Sequence, residues 1–287
     1  GRTETIIGTW LRKRGQRDDV VLATKVVGPP RRLNQSLHVR SGFPQLDETN
    51  LTAALHDSLK RLQTDYVDLY QLHWPDRSTN HFGQLGYEHV EEEDAVPIEE
   101  TLRVLDGFVR AGKIRYIGLS NETPWGIARF LRAAEMAGMA RIVSIQNPYN
   151  LLNRTFEIGC AEFAMRDHVG LLAYSPMAFG ILSGKYIAGN RPEGARLTRW
   201  QRFARYNAGN AARATYEYVE LFRKHGLNPA QAALAFVNQR PFVTSTLIGA
   251  TNLEQLQTNI ASLDIELNDE VLAGIAEIHQ RYPNPAP

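Results

Sequence analysis

One cysteine is all that this chain of 287 residues contains. A lone Cys160 excludes an internal disulfide and a cysteine-rich metal cluster, and it fits a reducing compartment, so the cytoplasm is the expected location. Charge of either sign is not in surplus: 32 Lys and Arg face 31 Asp and Glu, for a formal net charge of +1. No long run carries one sign, so neither nucleic acid nor an anionic membrane surface is an expected partner. The acidic triplet Glu91-Glu92-Glu93 reads as a solvated loop. Long apolar runs are lacking as well. Gly170 to Leu182 falls short of the roughly 18 to 20 residues of a membrane span, and Pro176 interrupts it. The opening residues, Gly1-Arg2-Thr3-Glu4-Thr5, do not have the basic-then-apolar layout of a secretory signal. Neither a solenoid-length repeat nor a low-complexity tract is present.

The apolar fraction of 43% is enough for a substantial core, in one large domain or two small ones. Short strand patterns alternate with helical ones. The strand candidates are Val20 to Val26, Tyr66 to Trp74, Ile114 to Asn121, Ile142 to Gln146, Gly170 to Ser175 and Ser245 to Gly249. All are β-branched or aromatic and apolar enough for burial on both faces, which is the pattern of a parallel sheet. The helices between them have readable ends. Leu51, Leu55, Leu59 and Leu62 form a stripe opened by Asn50 as an N-cap. Thr123-Pro124 and Asn228-Pro229 read as N-cap and first turn, the first helix ending near Gly138, and Asn252 and Asn268 are caps for the last two helices. Residues 28 to 48 and 75 to 97 read as long irregular loops, and loops of that length commonly carry function.

A doubly wound sheet would show the same alternation, but no Gly-x-Gly-x-x-Gly follows any of these strands. A barrel makes a different demand, that polar chemistry gather at the C-terminal ends of the strands. Those ends here are Lys25, His73, Ser120-Asn121, Gln146-Asn147, Tyr174-Ser175 and, just past the last strand, Thr251. Lys25 and His73 close consecutive strands, and a buried Lys beside a His tunes a proton donor near neutral pH. The plainer alternative has Lys25 snorkelling outward and His73 satisfied in the core. A metal-dependent hydrolase would need several His and carboxylates at the strand ends, where only His73 qualifies.

The segments Leu22-Ala23-Thr24-Lys25, Asp68-Leu69-Tyr70-Gln71-Leu72-His73-Trp74, Gly112 to Asn121, Ile145-Gln146-Asn147-Pro148-Tyr149-Asn150, Ala173-Tyr174-Ser175-Pro176, Ser183-Gly184-Lys185-Tyr186 and Ile248-Gly249-Ala250-Thr251-Asn252 carry a resemblance. Together they resemble the aldo-keto reductases, in particular a bacterial Tas-like branch that is also similar to the potassium-channel β subunits. The resemblance spans the chain. It implies a single domain over residues 1–287, a (β/α)8 TIM barrel with the first two strands missing from these residues. It also implies a tetrad of Asp, Tyr, Lys and His, in which Tyr protonates a carbonyl oxygen, Lys lowers the Tyr pKa, Asp pairs with Lys, and His orients the carbonyl. Lys25 and His73 match two members. The resemblance places the Asp and Tyr upstream of Gly1, since Gly1 to Gly8 resembles the start of the helix that follows them, and it offers no other Tyr by spacing, Tyr66, Tyr70 and Tyr116 lying within strands and Tyr174 having another role.

The same resemblance implies the cofactor NADPH and its contacts. Ser120, Asn121 and Gln146 would hydrogen-bond the carboxamide, and Tyr174 would stack on the nicotinamide. Ser175, Pro176, Met177 and Gly180 would run along the pyrophosphate, where small residues and backbone N–H groups allow close approach. Gly249, Thr251, Gln255 and Asn259 match the adenosine-phosphate end, with Lys185 and Arg196 as phosphate clamps. Plainer roles stand beside these: Thr251 and Asn252 as helix caps, Asn259 as a solvated helix residue, Tyr174 as a packed aromatic. Where many relatives carry Lys, Ser and Arg, this chain has Gly249, Ala250 and Gln255. The implied activity is reduction of a small-molecule aldehyde or ketone to an alcohol without a metal. The alternative is a nicotinamide-binding regulatory or interaction protein with little turnover. Substrate identity and oligomeric state stay open, the specificity loops being residues 28 to 48, 75 to 97 and Tyr282 to Pro287.

Overall fold

The computed structural model describes residues 1–31, 39–80, 82–91, 94–200, 205–206 and 209–287. These divide into two compact units, one of Gly1–His81 with Gly86–Ile145 and the other of Phe82–Leu85 with Gln146–Pro287.

The first unit alternates helix and strand: α1 (Arg2–Arg14), β1 (Ala23–Val26), α2 (Glu48–Leu62), β2 (Val67–Leu72), α3 (Ile98–Arg110), β3 (Ile114–Ser120), α4 (Pro124–Ala137) and β4 (Ile142–Gln146), the last reaching the boundary. The strands lie in chain order, and β1, β2 and β3 are parallel. All six residues of β2 are buried, as a strand with neighbours on both sides and apolar layers above and below must be. Helix α2 packs through Leu51, Leu55, Leu59 and Leu62, the stripe read from the sequence. Helix α1 crosses α2 at Gly8, where a Cβ would lie 2.3 Å from the carbonyl oxygen of Arg61. Only glycine lets the two backbones approach this closely.

The second unit holds α5 (Phe156–Arg166), β5 (Gly170–Ala173), α6 (Arg196–Arg199), α7 (Gly209–Lys224), α8 (Pro229–Asn238), β6 (Val243–Thr246), α9 (Leu253–Ile260) and α10 (Asp269–Arg281). Strands β5 and β6 are parallel, with an irregularity in register between Leu171 and Leu172. The core is aromatic, with Tyr149 stacked on Phe236 at 6.0 Å between ring centroids and meeting Phe242 edge-on at 5.2 Å. The tail is tied down, for Ala286 N–H donates to Leu152 O at 3.1 Å and Arg154 N–H to Asn284 Oδ1 at 2.6 Å. No helix among the described residues is long and apolar enough to cross a membrane.

Three expectations from the sequence need correction. The N-cap of α2 is Asp47, whose Oδ1 accepts from Asn50 N–H at 2.7 Å, so Asn50 lies inside the first turn instead of before it. An ionised carboxylate three residues upstream of a free helix N–H is the stronger acceptor and takes the capping position. The last strand is Val243–Thr246, earlier than Ser245 to Gly249, and Thr251 lies five residues beyond its end. Burial on both faces fails for β1 and β6, which expose Ala23, Thr244 and Ser245 and stand at the two ends of the strand order among the described residues. The caps Thr123, Asn228, Asn252 and Asn268 stand where the sequence put them. Both long loops are irregular apart from a 3-10 turn at Arg40–Gly42, and residues 32–38, 81 and 92–93 within them lie outside the described residues. Of the acidic triplet, Glu91 is exposed, and Glu92 and Glu93 are outside the described set.

Candidate active site

In the first unit the sheet register sets Lys25 opposite Gln71, and Gln71 opposite Gly118. Side chains alternate along a strand, so Lys25, Gln71 and His73 share one face, with Lys25 and His73 at the C-terminal ends of neighbouring strands. The His73 N–H donates to Val26 O at 2.9 Å, which extends the β1–β2 ladder by one step. Burial, and then the positive charge of Lys25, push the His73 imidazole down to about 4. Burial likewise lowers the Lys25 ammonium from its ordinary value. Two cationic groups held together out of water disfavour each other's protonation, and the one of lower intrinsic pKa gives up its proton. His73 is therefore neutral at pH 7, able to donate from one ring nitrogen and accept at the other.

The surroundings hold this pair in place. Asn121, at φ 52°, donates from Nδ2 to His73 O at 2.8 Å and to Ser120 Oγ at 3.1 Å. The Trp74 ring lies 4.7 Å from the His73 ring, and its Nε1–H donates to Pro29 O at 2.9 Å. At Gly118 a Cβ would come within 2.7 Å of Ser144 Oγ and 3.1 Å of Gln71 Cγ, so glycine makes room for both polar side chains in the layer of Lys25. Tyr70, paired with Thr24, points to the opposite face, where burial raises its phenol. Tyr66 bonds Asp18 and Tyr116 is exposed, so none of these three tyrosines joins Lys25 and His73. Among the described residues no group of three His, Cys, Asp or Glu could hold a metal ion.

In the second unit Gln146 is buried at the end of β4, and Tyr174 follows β5. The backbone joins them through Tyr174 N–H to Asn147 O at 3.1 Å, and burial raises the Tyr174 phenol. The segment after Tyr174 is unusual: Ser175, Ala178, Phe179, Gly180 and Gly184 all have positive φ, between 47° and 90°. These turns close on themselves, for the N–H groups of Ala178, Gly180 and Gly184 donate to Ser175 O, Met177 O and Ile181 O at 2.9, 2.8 and 2.9 Å. Pro176 is buried and Met177 half-buried within this segment. A Cβ at Gly180 would lie 3.1 Å from Lys185 Nζ, so the glycine allows the ammonium to rest against the turn. Burial lowers the Lys185 pKa, and the guanidinium of Arg196 sits 5.2 Å from the Phe179 ring centroid. At the start of α9, Thr251 N–H and Oγ1 both donate to Gln255 Oε1 at 3.0 Å, and Asn259 Nδ2 contacts Gly249 O at 3.4 Å. Thr251 and Gln255 thus satisfy each other, and Asn259 is buried instead of solvated.

Sequence reasoning left Asn150 without a role. It is fully buried, donates from Nδ2 to Ser175 O at 2.9 Å, and accepts from Leu152 N–H at 2.9 Å, so it holds Ser175 in its left-handed turn. Its place in the quoted Asn147-Pro148-Tyr149-Asn150 segment was the available signal, but the partner lies 25 residues away.

Residues 1–280 match the model of the Aldo/keto reductase family. The protein tas of Escherichia coli (strain K12) is 53% identical over 287 residues, covering 100% of this chain and 82% of that one. An aldo-keto reductase of Babesia bovis is 39% identical over 281 residues, 93% of this chain and 98% of its own. A probable voltage-gated potassium channel subunit beta of Oryza sativa subsp. japonica is 30% identical over 299 aligned positions, 99% of this chain and 81% of its own. The family fold is a (β/α)8 barrel, whose repeated parallel strand and helix are the pattern found in both units. This chain belongs to the aldo/keto reductase family of oxidoreductases.

Proposed function

We propose that the protein reduces the carbonyl group of a small aldehyde or ketone with NADPH. The observation that carries this reading is the pairing of Lys25 and His73 on one face at neighbouring strand ends, with the charge of one helping to keep the other neutral. A neutral His73 can hydrogen-bond a carbonyl oxygen and hold it in place. The Lys25 cation beside it stabilises an oxyanion and, in this reading, lowers the pKa of a Tyr acid supplied from outside residues 1–287. NADPH, when bound, supplies the hydride. Gln146, Ser120 and Asn121 would hold its carboxamide, Tyr174 its ring, and Ser175 to Gly180 its pyrophosphate. Lys185, Arg196, Gly249, Thr251, Gln255 and Asn259 would hold the adenosine end. The ammonium of Lys185, desolvated against Gly180, supports this fit, since a bound anion would offset its lost hydration.

Absorbance at 340 nm with a panel of aldehydes tests the reading in the full-length protein. Aldehyde-dependent oxidation supports it, whereas tight cofactor binding without turnover favours the regulatory alternative. NADPH is expected to bind at least about tenfold more tightly than NADH, because one charge-assisted contact to the 2′-phosphate contributes roughly 1.5 to 3 kcal/mol. Fluorescence titration checks this, and the preference should shrink in Lys185→Ala and Arg196→Ala. Equal dissociation constants for the two cofactors would show the phosphate site to be elsewhere.

A further inference from the structure

The loops that follow β1 and β2 meet at a single buried carboxylate. Asp76 lies three residues past His73, and its side chain is 5% exposed. Its Oδ1 accepts from Arg31 Nη2 at 2.9 Å and from Val96 N–H at 3.2 Å, and its Oδ2 accepts from Leu46 N–H at 2.6 Å. Arg31 also donates from Nε to the Asp76 carbonyl and from Nη1 to Asp94 Oδ1 at 3.0 Å. Gln45 donates from Nε2 to the Asp94 carbonyl, and the Arg31 guanidinium lies 5.2 Å from the Phe43 ring centroid. Arg31, Phe43, Gln45 and Leu46 belong to the first loop, and Asp76, Asp94 and Val96 to the second.

A buried ion pair of this kind contributes little to net stability, since desolvation offsets much of its Coulomb energy. What it does supply is geometry. The carboxylate has two oxygens and serves donors from both loops, so neither loop can shift without unpairing a charge that the other also uses. We propose that Asp76 and Arg31 are a positioning pair that joins the two loops into one wall beside Lys25 and His73, so that both loops select the carbonyl substrate together. The selection half of this inference rests on the reductase reading, while the joining half does not.

Hydrogen exchange followed by mass spectrometry, on wild type, Asp76→Asn and Arg31→Lys, separates the two. An asparagine offers one acceptor oxygen and would turn an amide N–H₂ toward the remaining donors. Segments 39–47 and 94–97 are therefore expected to exchange at least about tenfold faster together in Asp76→Asn, an opening of roughly 1.4 kcal/mol, with α10 unchanged. Arg31→Lys, which keeps the charge and loses the fork, should show a smaller change in the same two segments, and it decides the matter if Asp76→Asn does not fold. Loosening of only one segment, or of neither, overturns the joint. The ratio of kcat/KM for a bulky aromatic ketone to that for a small aldehyde is expected to change at least fivefold in both variants, mainly through KM. An unchanged ratio with both loops loosened overturns the selection. A wild-type protein without turnover removes the reductase reading and the selection with it, and the exchange result still decides the joint.

Discussion

Lys25→Met and His73→Ala are each expected to lower kcat for aldehyde reduction by about 10²- to 10⁴-fold, the usual contribution of a positioned proton-transfer or charge-stabilising group. Both side chains lie half-buried at strand ends, where the ladder is held by backbone hydrogen bonds and not by these groups. Loss of rate should therefore appear in kcat, with cofactor dissociation constants changed by less than threefold, and steady-state kinetics with parallel fluorescence titration would check it. Near-wild-type rates in either variant reject the assignment. The two groups also make a thermodynamic prediction. Because the folded pKa of His73 is about 4, below its ordinary 6.5, the unfolded chain binds the proton more readily between these values. Stability associated with the neutral imidazole is thus fully present above pH 6.5 and lost as pH falls toward 4, with no further loss below. The full swing is on the order of 3 kcal/mol. His73→Gln, which cannot titrate, should flatten the urea-midpoint profile across that window, and an unaltered slope would show that His73 is not the group responsible.

Arg77→Met is expected to cost about 3 kcal/mol of folding stability. Arg77 grips Glu122 with both terminal nitrogens, Nη2 to Oε1 at 2.6 Å and Nη1 to Oε2 at 3.1 Å, and its guanidinium lies 4.6 Å from the Trp125 ring centroid. The Glu122 side chain is only 3% exposed, so removal of the arginine takes the neutralising cation from a buried carboxylate. Two features keep the cost toward the low end of the range for broken buried pairs. Thr123 N–H still donates to Glu122 Oε1 at 2.7 Å, and the carboxylate stands at the N-terminus of α4, where the helix dipole favours negative charge. Gly126 makes room for it, as a Cβ there would fall 2.2 Å from the Glu122 carboxyl carbon. Urea titration would read the loss as a lower midpoint at unchanged m-value. The double variant Arg77→Met/Glu122→Gln should recover at least half of it, because the uncompensated buried charge is gone. Equal losses in the single and double variants would mean that the arginine acts through its stacking on Trp125.

What the sequence determined by itself is what neighbours in the chain decide. Helix starts at Thr123, Asn228, Asn252 and Asn268 were legible because a capping side chain and the backbone N–H that donates to it lie two or three residues apart. The stripe of α2 and the buried strand β2 were legible because a 3.6-residue period and a short, largely apolar run are local patterns. The cap of α2 was misplaced where two suitable side chains, Asp47 and Asn50, competed over the same turn. Motif order along the chain carried the family. Tertiary structure decided the rest, because the partners are distant in sequence. Whether Lys25 snorkels outward or stands beside His73 depends on strand register, which a run of residues does not encode alone. The neutral state of that imidazole depends on burial and on the charge of Lys25, a residue far from it in the chain. Asp76 reads in the sequence as one polar residue in a loop, and becomes a joint between two loops only when Arg31, Leu46 and Val96 converge on two oxygen atoms that water no longer serves.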